Sequence, residues 1–585
     1  MLDYWLVACL VPLALWALVS GLDDLFIVFV WCLPRRKRHL PTSAELACVP
    51  ERRMAIFVPL WHEDRVIGQM LQRTLSAVSY ETYDIFAGVY PNDEATANAV
   101  REVAARWPRL HVALVPHDGP TSKGDCLNAI YDDMTAWEAA RNVRFEVILT
   151  HDAEDLVYAD SLRLINWFSR DHEMVQIPVL PLPTPFRQFT HGVYCDEFAE
   201  FQLIDLVVRG LLGGFLPASG VGTGFERDAL EALAATRGGT LFDPSCLTED
   251  YETGYRLHQL GYRQLFLPIK ADGTGFAATR EYFPRHWKAA VRQRSRWITG
   301  IALQGWQHHG WRGPAWRRYW FWRDRKGIVG NFLSPLSNLL FLAGLWFWRE
   351  LAKAPPAVAG LCFITVLVAV AHVLIRGRAT AMIYGWKFAL GVPLRMFWGN
   401  LVNLAATCMA LRGYLASMAG LGKLTWAKTE HVYAAAGAGT NQRLGEVLVR
   451  LRCLSAEQIQ AAVASQPKGV RLGEYLMQSE RLTEENLYRA LSLQAGLELG
   501  LPKAAEVSAP ATHALPADTS RRWKVLPYRV CAGQMHLLTP EIPTSDMLHH
   551  LEEVATLELR FRLVQPLDYE RIADRYLGPE PVVER

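Results

Sequence analysis

Residues 145–155 read Phe-Glu-Val-Ile-Leu-Thr-His-Asp-Ala-Glu-Asp. The apolar run that ends at Thr150 predicts a buried strand. Asp152, Glu154 and Asp155 then fall at its carboxyl end, the edge where α/β sheets bind ligands. Upstream, residues 54–60, 84–90 and 111–116 are three further short apolar runs, separated by helix-like segments. Four such strands predict a parallel sheet in an α/β nucleotide-binding layout. Carboxylates at that edge offer hard oxygen ligands for Mg2+ or Mn2+ against a diphosphate. The same residues also suit a loop that only caps the next helix.

Two later motifs bear on that choice. Gly220-Val-Gly-Thr-Gly224 can lie close to a ligand without side-chain bulk, and Thr248-Glu249-Asp250 follows it. Asp250 has the chemistry of a general base for a hydroxyl, although the tripeptide equally fits the start of a helix running to Leu260. Gln293-Arg-Ser-Arg-Trp297 stands just before a long apolar region. Its guanidinium suits a diphosphate and its indole a sugar face; the competing reading is a basic interfacial belt with aromatic anchors.

The chain has 585 residues, which predicts two or three domains. A net charge of +2 gives no electrostatic reason to expect a nucleic-acid polymer as partner. A hydrophobic fraction of 51% and 20 tryptophans, gathered in uncharged stretches, point to a membrane protein. The 10 cysteines are scattered without a C-x-x-C pair and read as inert core residues. The histidines, His308-His309 and His549-His550 among them, lack metal-ligand spacing and read as surface or interfacial residues.

Residues 5–33 are long and apolar enough to span a bilayer, and Arg35, Arg36, Lys37 and Arg38 follow directly. That order predicts an uncleaved anchor, residues 1–35, with a periplasmic N-terminus and a cytoplasmic domain over 36–325. Residues 328–348 and 356–375 carry no formal charge, with Lys353, Pro355 and Pro356 at a turn between them. They predict a helical hairpin within a membrane region, 326–435, and Arg376 with Arg378 returns the chain to the cytoplasm. Residues 380–412 mix apolar groups with Lys387, Pro393, Arg395 and Asn400 and read as interfacial helices, with a fourth span left open.

The small-residue joint Ala436–Thr440 precedes a polar domain over 441–585. That domain opens with a repeat: Arg443-Leu444-Gly445 recurs 28 residues later as Arg471-Leu472-Gly473. The arginines can pair with phosphates or stack on bases, and the glycines can admit a flat ligand. The alternative is two helical hairpins that pack only on each other.

The order of carboxylate cluster, Thr-Glu-Asp, Gln-x-x-Arg-Trp and membrane helices resembles processive family 2 glycosyltransferases such as cellulose and hyaluronan synthases. Over about 50–430, together with Gly21-Leu-Asp-Asp-Leu-Phe26, Tyr90-Pro-Asn-Asp93 and Thr121-Ser-Lys123, the chain is similar to the bacteriophage adsorption protein B group. The resemblance implies a GT-A domain in which Glu63 and Asp93 line a nucleoside pocket and Lys123 faces donor phosphates. It puts Asp152 and Glu154, with Asp155 beside them, at the metal. Asp250 becomes the base, next to Glu249, and Gln293, Arg296 and Trp297 meet donor and glycan. Asp152-Ala-Glu154 departs from the usual D-x-D, and no Phe-x-Val-Thr-x-Lys gating loop follows the Gln-x-x-Arg-Trp motif.

The repeat resembles the cyclic di-GMP-binding N-terminal domain of type II secretion and pilus ATPases. It implies a ligand set of Arg443, Leu444, Gly445, Leu454 and Gln466 with Arg471, Leu472, Gly473, Leu482 and Gln494. Arg452 and Glu480 stand where that motif has glycine, and the spacer Pro467–Val470 is one residue short.

Together the resemblances imply an inverting, metal-dependent enzyme of the bacterial inner membrane. It would polymerise a UDP-sugar, UDP-N-acetylmannosamine or UDP-N-acetylglucosamine first, into an exported glycan. Cyclic di-GMP would be its allosteric activator and an outer-membrane protein its export partner. Three rivals stand beside this: a regulator of a secretion machine, disfavoured by the lack of a G-x-x-x-x-G-K-[ST] loop, a single-addition lipid-carrier transferase, and a non-catalytic envelope scaffold or phage receptor component.

Overall fold

Strands β1 (Met54–Pro59), β2 (Tyr83–Val89), β3 (Leu110–Leu114) and β4 (Val147–Thr150) lie where the apolar runs predict them. β1, β2 and β4 are buried at every residue, which is why their sequences run apolar without alternating. In this computed structural model the described residues are 2–34, 40–271, 275–346, 355–421, 444–451, 453–467, 469–495, 497–502, 507–531, 534–555 and 557–577. The expected basic cluster Arg35–Arg38, Lys353, the joint Ala436–Thr440, Asn441, Arg443 and Arg452 lie outside them. The chain divides into two compact units, Met1–Tyr433 and Ala434–Arg585.

In the first unit, β5 (Met174–Gln176), β6 (Val179–Pro181), β7 (Thr223–Glu226) and β8 (Gln264–Phe266) follow. Among the described residues the main sheet runs β3-β2-β1-β4-β7-β5-β8. β1 pairs in parallel with both β2 and β4, and β7 runs antiparallel to β4 with Thr150 opposite Thr223. The chain builds outward from β1 to β3 and then returns to β4 on the other side of β1. That reversal creates the crevice at the carboxyl ends of β1 and β4 in which α/β sheets bind ligands. The strand Thr279–Glu281 pairs with β6 outside the main sheet.

Among the described residues, Leu10–Cys32, Pro356–Tyr384 and Val392–Met418 are long and apolar enough to cross a membrane, and Gly327–Leu342 is a shorter apolar segment. This corrects the reading of 380–412 as interfacial helices. Thr380 lies inside the helix Pro356–Tyr384, and 392–418 forms one helix. Its polar residues suggested an interface, but they are spent on protein. Arg395 donates to both Asp196 oxygens at 2.7 and 2.9 Å, Asn403 accepts from Arg294 at 2.7 Å, and Asn400 donates to Asn338 at 3.3 Å. Polar groups inside an apolar helix persist when protein partners satisfy them. Pro393 sits in the first turn, where its missing N–H costs no helical bond.

The anchor helix Leu2–Cys32 extends well past the point where its carboxylates begin. Asp23 and Asp24 each accept from Lys326 at 2.8 Å, Tyr319 donates to Asp23 at 2.8 Å, and Arg323 binds Asp23, Asp24 and Asp205. Beyond them Ile27 is buried against Leu203, Ile204 and Val208, and the Trp31 indole donates to the Leu203 carbonyl at 2.8 Å. The last turns of the anchor are therefore docked on the α/β domain, not free in lipid.

In the second unit the helices Leu444–Arg450, Ala456–Ser465, Leu472–Gln478 and Glu484–Ala495 close around a core containing Val447, Leu448, Ala462 and Leu476. A sheet in the order 498–499, 558–563, 534–539, 526–531 follows, with helices Ser545–Val554 and Pro566–Leu577.

Because Asp23 is nearly buried among cations, Asp23→Ala is expected to destabilise the detergent-purified protein by about 2 kcal/mol. Asp64→Ala, at an exposed loop position, should cost under about 0.5 kcal/mol. Thermal unfolding of both variants checks the difference.

Candidate functional site

Lys123 is the first residue of the helix Lys123–Arg141, whose cap Ser122 accepts from the Asp125 amide at 3.2 Å. The helix start projects Lys123 over the sheet edge. Its ammonium lies 2.6 Å from Asp152 Oδ1 and 3.9 Å from Glu249 Oε1, and donates to the Gly220 carbonyl at 3.4 Å. Gly220 has φ +73°, and a Cβ there would stand 2.8 Å from Asp250 Oδ2 and 3.3 Å from Lys123 Nζ. Only glycine satisfies both the backbone and the space. Glu249 and Asp250 open the helix Glu249–Gln259, where its dipole favours negative charge. Four elements thus converge on one cation and three carboxylates.

Burial and these charges set the protonation states. Burial alone would lower the Lys123 pKa, but Asp152, Glu249 and Asp250 outweigh it and hold the ammonium charged. Burial and then the charge of Asp250 push Glu249 up to about 7. Asp250 is also raised by burial, against the pull of Lys123 and Arg296. Arg296 is therefore within electrostatic reach of Asp250, as the motif order implies.

The three carboxylates after β4 do not share one role. Asp152 is a third exposed and faces Lys123. Glu154 is buried. Asp155 is fully buried; its Oδ2 accepts the Asp152 amide at 3.1 Å and lies 2.7 Å from His151 Nδ1. Burial, then Asp152 and Glu154, drive its pKa well above the ordinary carboxylate value, and burial lowers His151 to about 4. Through these two contacts Asp155 shapes the loop that presents Asp152.

Glu63 and Asp93 sit beside the same edge. Asp93 caps the helix Glu94–Ala104 and accepts the amides of His62 at 2.6 Å and Thr96 at 3.4 Å. Burial would raise Asp93, but these hydrogen bonds hold it below its usual pKa. Glu63 is buried, with its amide donating to Thr96 Oγ1 at 2.9 Å. Tyr90 and Thr121 share a 2.6 Å hydroxyl bond that ties the Tyr90–Asp93 stretch to Thr121–Lys123.

In the Gln-x-x-Arg-Trp segment, Gln293 and Arg296 are partly buried, while Trp297 meets Tyr194, Phe198 and Phe283 edge-on or tilted within 6.3 Å. Arg294, between the motif residues, binds Glu197 at 2.7 Å. A π-helical stretch, Ile298–Gln304, follows, a distortion common at functional sites. Its Gln304 accepts the Leu247 amide and donates to the Ser245 carbonyl, both at 3.0 Å, and so holds the loop leading to Asp250. Sequence reading missed Gln304 because the contact spans 57 residues.

The histidine and cysteine readings also need correction. His309 is buried and lies 2.6 Å from Glu252 Oε2, and His308 Nδ1 lies 3.8 Å from Cys246 Sγ. Cys126, Cys195 and Cys246 are buried as expected, but Cys32, Cys48 and Cys408 are exposed.

In the second unit the repeat glycines are contact points between helices. A Cβ on Gly445 would stand 2.6 Å from Ile459, and one on Gly473 would stand 2.8 Å from Leu487. Leu454 and Leu482 are buried in the same core, with Leu444 and Leu472 packed against it. Gln466 donates to the Val470 carbonyl, Gln494 is half-buried, and Arg471 is exposed. These leucines and glycines thus build the scaffold, and the groups offered outward are polar.

Residues 50–300, which contain the main sheet and its carboxylate edge, match the family model described as glycosyltransferase like family 2. The chain is 34% identical over 565 residues to bacteriophage adsorption protein B of Escherichia coli strain K12, covering 90% of this chain and 76% of that one. It matches bacteriophage N4 adsorption protein B of Escherichia coli O157:H7 to the same extent. The chain belongs to the bacteriophage adsorption protein B family. Among solved structures, mannosyltransferase PcManGT from Pyrobaculum calidifontis in complex with GDP-Man and Mn2+ is similar over 68% of this chain and 99% of its own, at 17% identity and a TM-score of 0.42. MshE with cdg covers 23% of this chain and 99% of its own, at 24% identity and a TM-score of 0.22.

The raised Glu249 carboxyl gives a pH signature. Its folded pKa lies above the unfolded value, so the folded state binds the extra proton and stability falls as pH rises from about 4.5 through about 7. Glu249→Gln removes that loss. Its stability relative to wild type should therefore grow by about 2 kcal/mol between about pH 5 and pH 8, measured by denaturant titration at each pH.

Proposed function

We propose that this chain is an inner-membrane, processive, inverting glycosyltransferase that polymerises a UDP-sugar into an exported glycan and is activated by cyclic di-GMP. The observation that carries this reading is the Lys123 ammonium held among Asp152, Glu249 and Asp250 at the crevice beside β4. Lys123 would neutralise the donor diphosphate and Arg296 would reinforce it from the membrane side. Asp152, with Glu154 behind it, provides the hard oxygen chemistry that suits Mg2+ or Mn2+. When bound, such an ion supplies positive charge to the departing diphosphate. Asp250, whose basicity burial raises, takes the proton of the acceptor hydroxyl as that oxygen attacks the anomeric carbon in line.

Glu63 and Asp93 border the nucleoside side, and Gln293 and Trp297 lie on the side of the growing glycan, which leaves between the membrane helices. By family resemblance the donor is UDP-N-acetylmannosamine or UDP-N-acetylglucosamine, with the catalytic and regulatory units cytoplasmic and an outer-membrane partner receiving the product. The exposed Arg471, with Gln466 and Gln494 on the duplicated hairpins, is the described part of the polar set for the dinucleotide, and the repeat adds Arg443 to it by sequence.

Asp250→Asn is expected to lower sugar transfer by about 10³-fold while donor affinity changes less than about 3-fold, measured by product formation and calorimetry on the full chain. Normal turnover in that variant contradicts the assignment. Arg471→Ala should weaken cyclic di-GMP binding about 10-fold or more and leave unstimulated transfer unchanged. Equal dinucleotide affinity in both proteins would remove the regulatory half of the reading.

A further inference from the structure

Next to the catalytic loop but apart from its carboxylates, Cys246, Glu252 and His308 bring a sulfur, an oxygen and a nitrogen within 4.8 Å of one another. The three come from different elements. Cys246 lies in the loop before Thr248-Glu249-Asp250, Glu252 on the first turn of the next helix, and His308 on the helix Gly305–His309. Cys246 Sγ and His308 Nδ1 stand 3.8 Å apart. A tetrahedral zinc with ordinary Zn–S and Zn–N bonds separates its ligands by about 3.6 Å, so this pair needs almost no movement to close on the ion.

We propose that Cys246, Glu252 and His308 form a zinc site that staples the Asp250 loop to the helix following the Gln-x-x-Arg-Trp segment. Mixed thiolate, imidazole and carboxylate donors select zinc over Mg2+ or Mn2+, which prefer oxygen alone. Arg256 at 2.8 Å and Arg237 at 3.4 Å donate to Glu252 Oε1 and His309 lies 2.6 Å from Oε2, which fixes the carboxylate in one orientation and leaves each oxygen further lone pairs. The Cys246 thiol is buried beside Glu252 and Asp243, so without a cation it resists ionisation. Binding forms the Zn–S bond and releases the thiol proton to solvent, which removes that conflict. His308 is exposed, giving the ion an entry path, and water completes the fourth position. The staple acts on the same loop that Gln304 clamps through Ser245 and Leu247.

The test uses the full-length protein in detergent, reduced and stripped with chelator, titrated with Co2+ as a spectroscopic substitute. Wild type is expected to bind one thiolate-ligated ion per chain, read from a thiolate-to-cobalt charge-transfer band that stoichiometric Zn2+ displaces; Co2+ at the oxygen ligands of Asp152 gives no such band. Cys246→Ser should abolish that band. His308→Ala, which alters only an exposed side chain and leaves the core intact, should weaken it. No charge-transfer band in wild type would overturn the site. So would a band of undiminished intensity in Cys246→Ser, since that result means adventitious binding at the exposed Cys32, Cys48 or Cys408.

Discussion

A single buried cation organises the catalytic face. Glu249 and Asp250 at one helix start and Asp152 at a strand end would repel one another once withdrawn from water. Lys123 between them turns that repulsion into mutual attraction. The cluster forces Gly220 to be glycine and ties the start of the Lys123–Arg141 helix, the end of β4, the glycine loop before β7 and the Thr248 helix start to one point. In the proposed reaction the donor diphosphate would meet the Lys123 charge already in place, the form of preorganisation that lowers a barrier without reorganising the site.

The same logic recurs where the domain meets the membrane helices. Asp23 and Asp24 in the anchor meet Arg323 and Lys326, Asp196 meets Arg395, and Glu200 meets His372 and Arg376. Each pair joins a catalytic-domain element to an apolar helix, and breaking one side strands a buried charge on the other. The transferase fold and the membrane helices are therefore one mechanical unit. The π-helical stretch after Trp297 continues this connection from the membrane side down to the loop bearing Asp250.

The sheet was legible in the sequence because burial on both faces leaves contiguous apolar runs, and β1 to β4 fall within about two residues of those runs. Asp152 and Asp250 stood out in short local motifs and Lys123 through the family resemblance, and the fold brings the three together. The contact of Asp155 with His151 was not legible, because the burial that joins the two side chains is a property of the folded loop and not of the spacing. The helix 392–418 was misread because its polar residues were counted against it, whereas their partners on other helices satisfy them. Gly445 and Gly473 read equally as ligand contacts or helix contacts, and their close approach to Ile459 and Leu487, which join residues far apart in the chain, became visible only in the fold. His308 read only as a surface or interfacial residue, and it is exposed, but its neighbours Cys246 and Glu252 lie on other elements where no spacing rule reaches.

The most direct measurement is nucleotide release by the purified full-length protein supplied with single UDP-sugars and a divalent cation, with and without cyclic di-GMP. Sustained UDP release from one donor, increased by the dinucleotide, is the predicted result. Dinucleotide binding without UDP release from any donor would contradict the account and leave a protein that keeps the transferase fold as a scaffold.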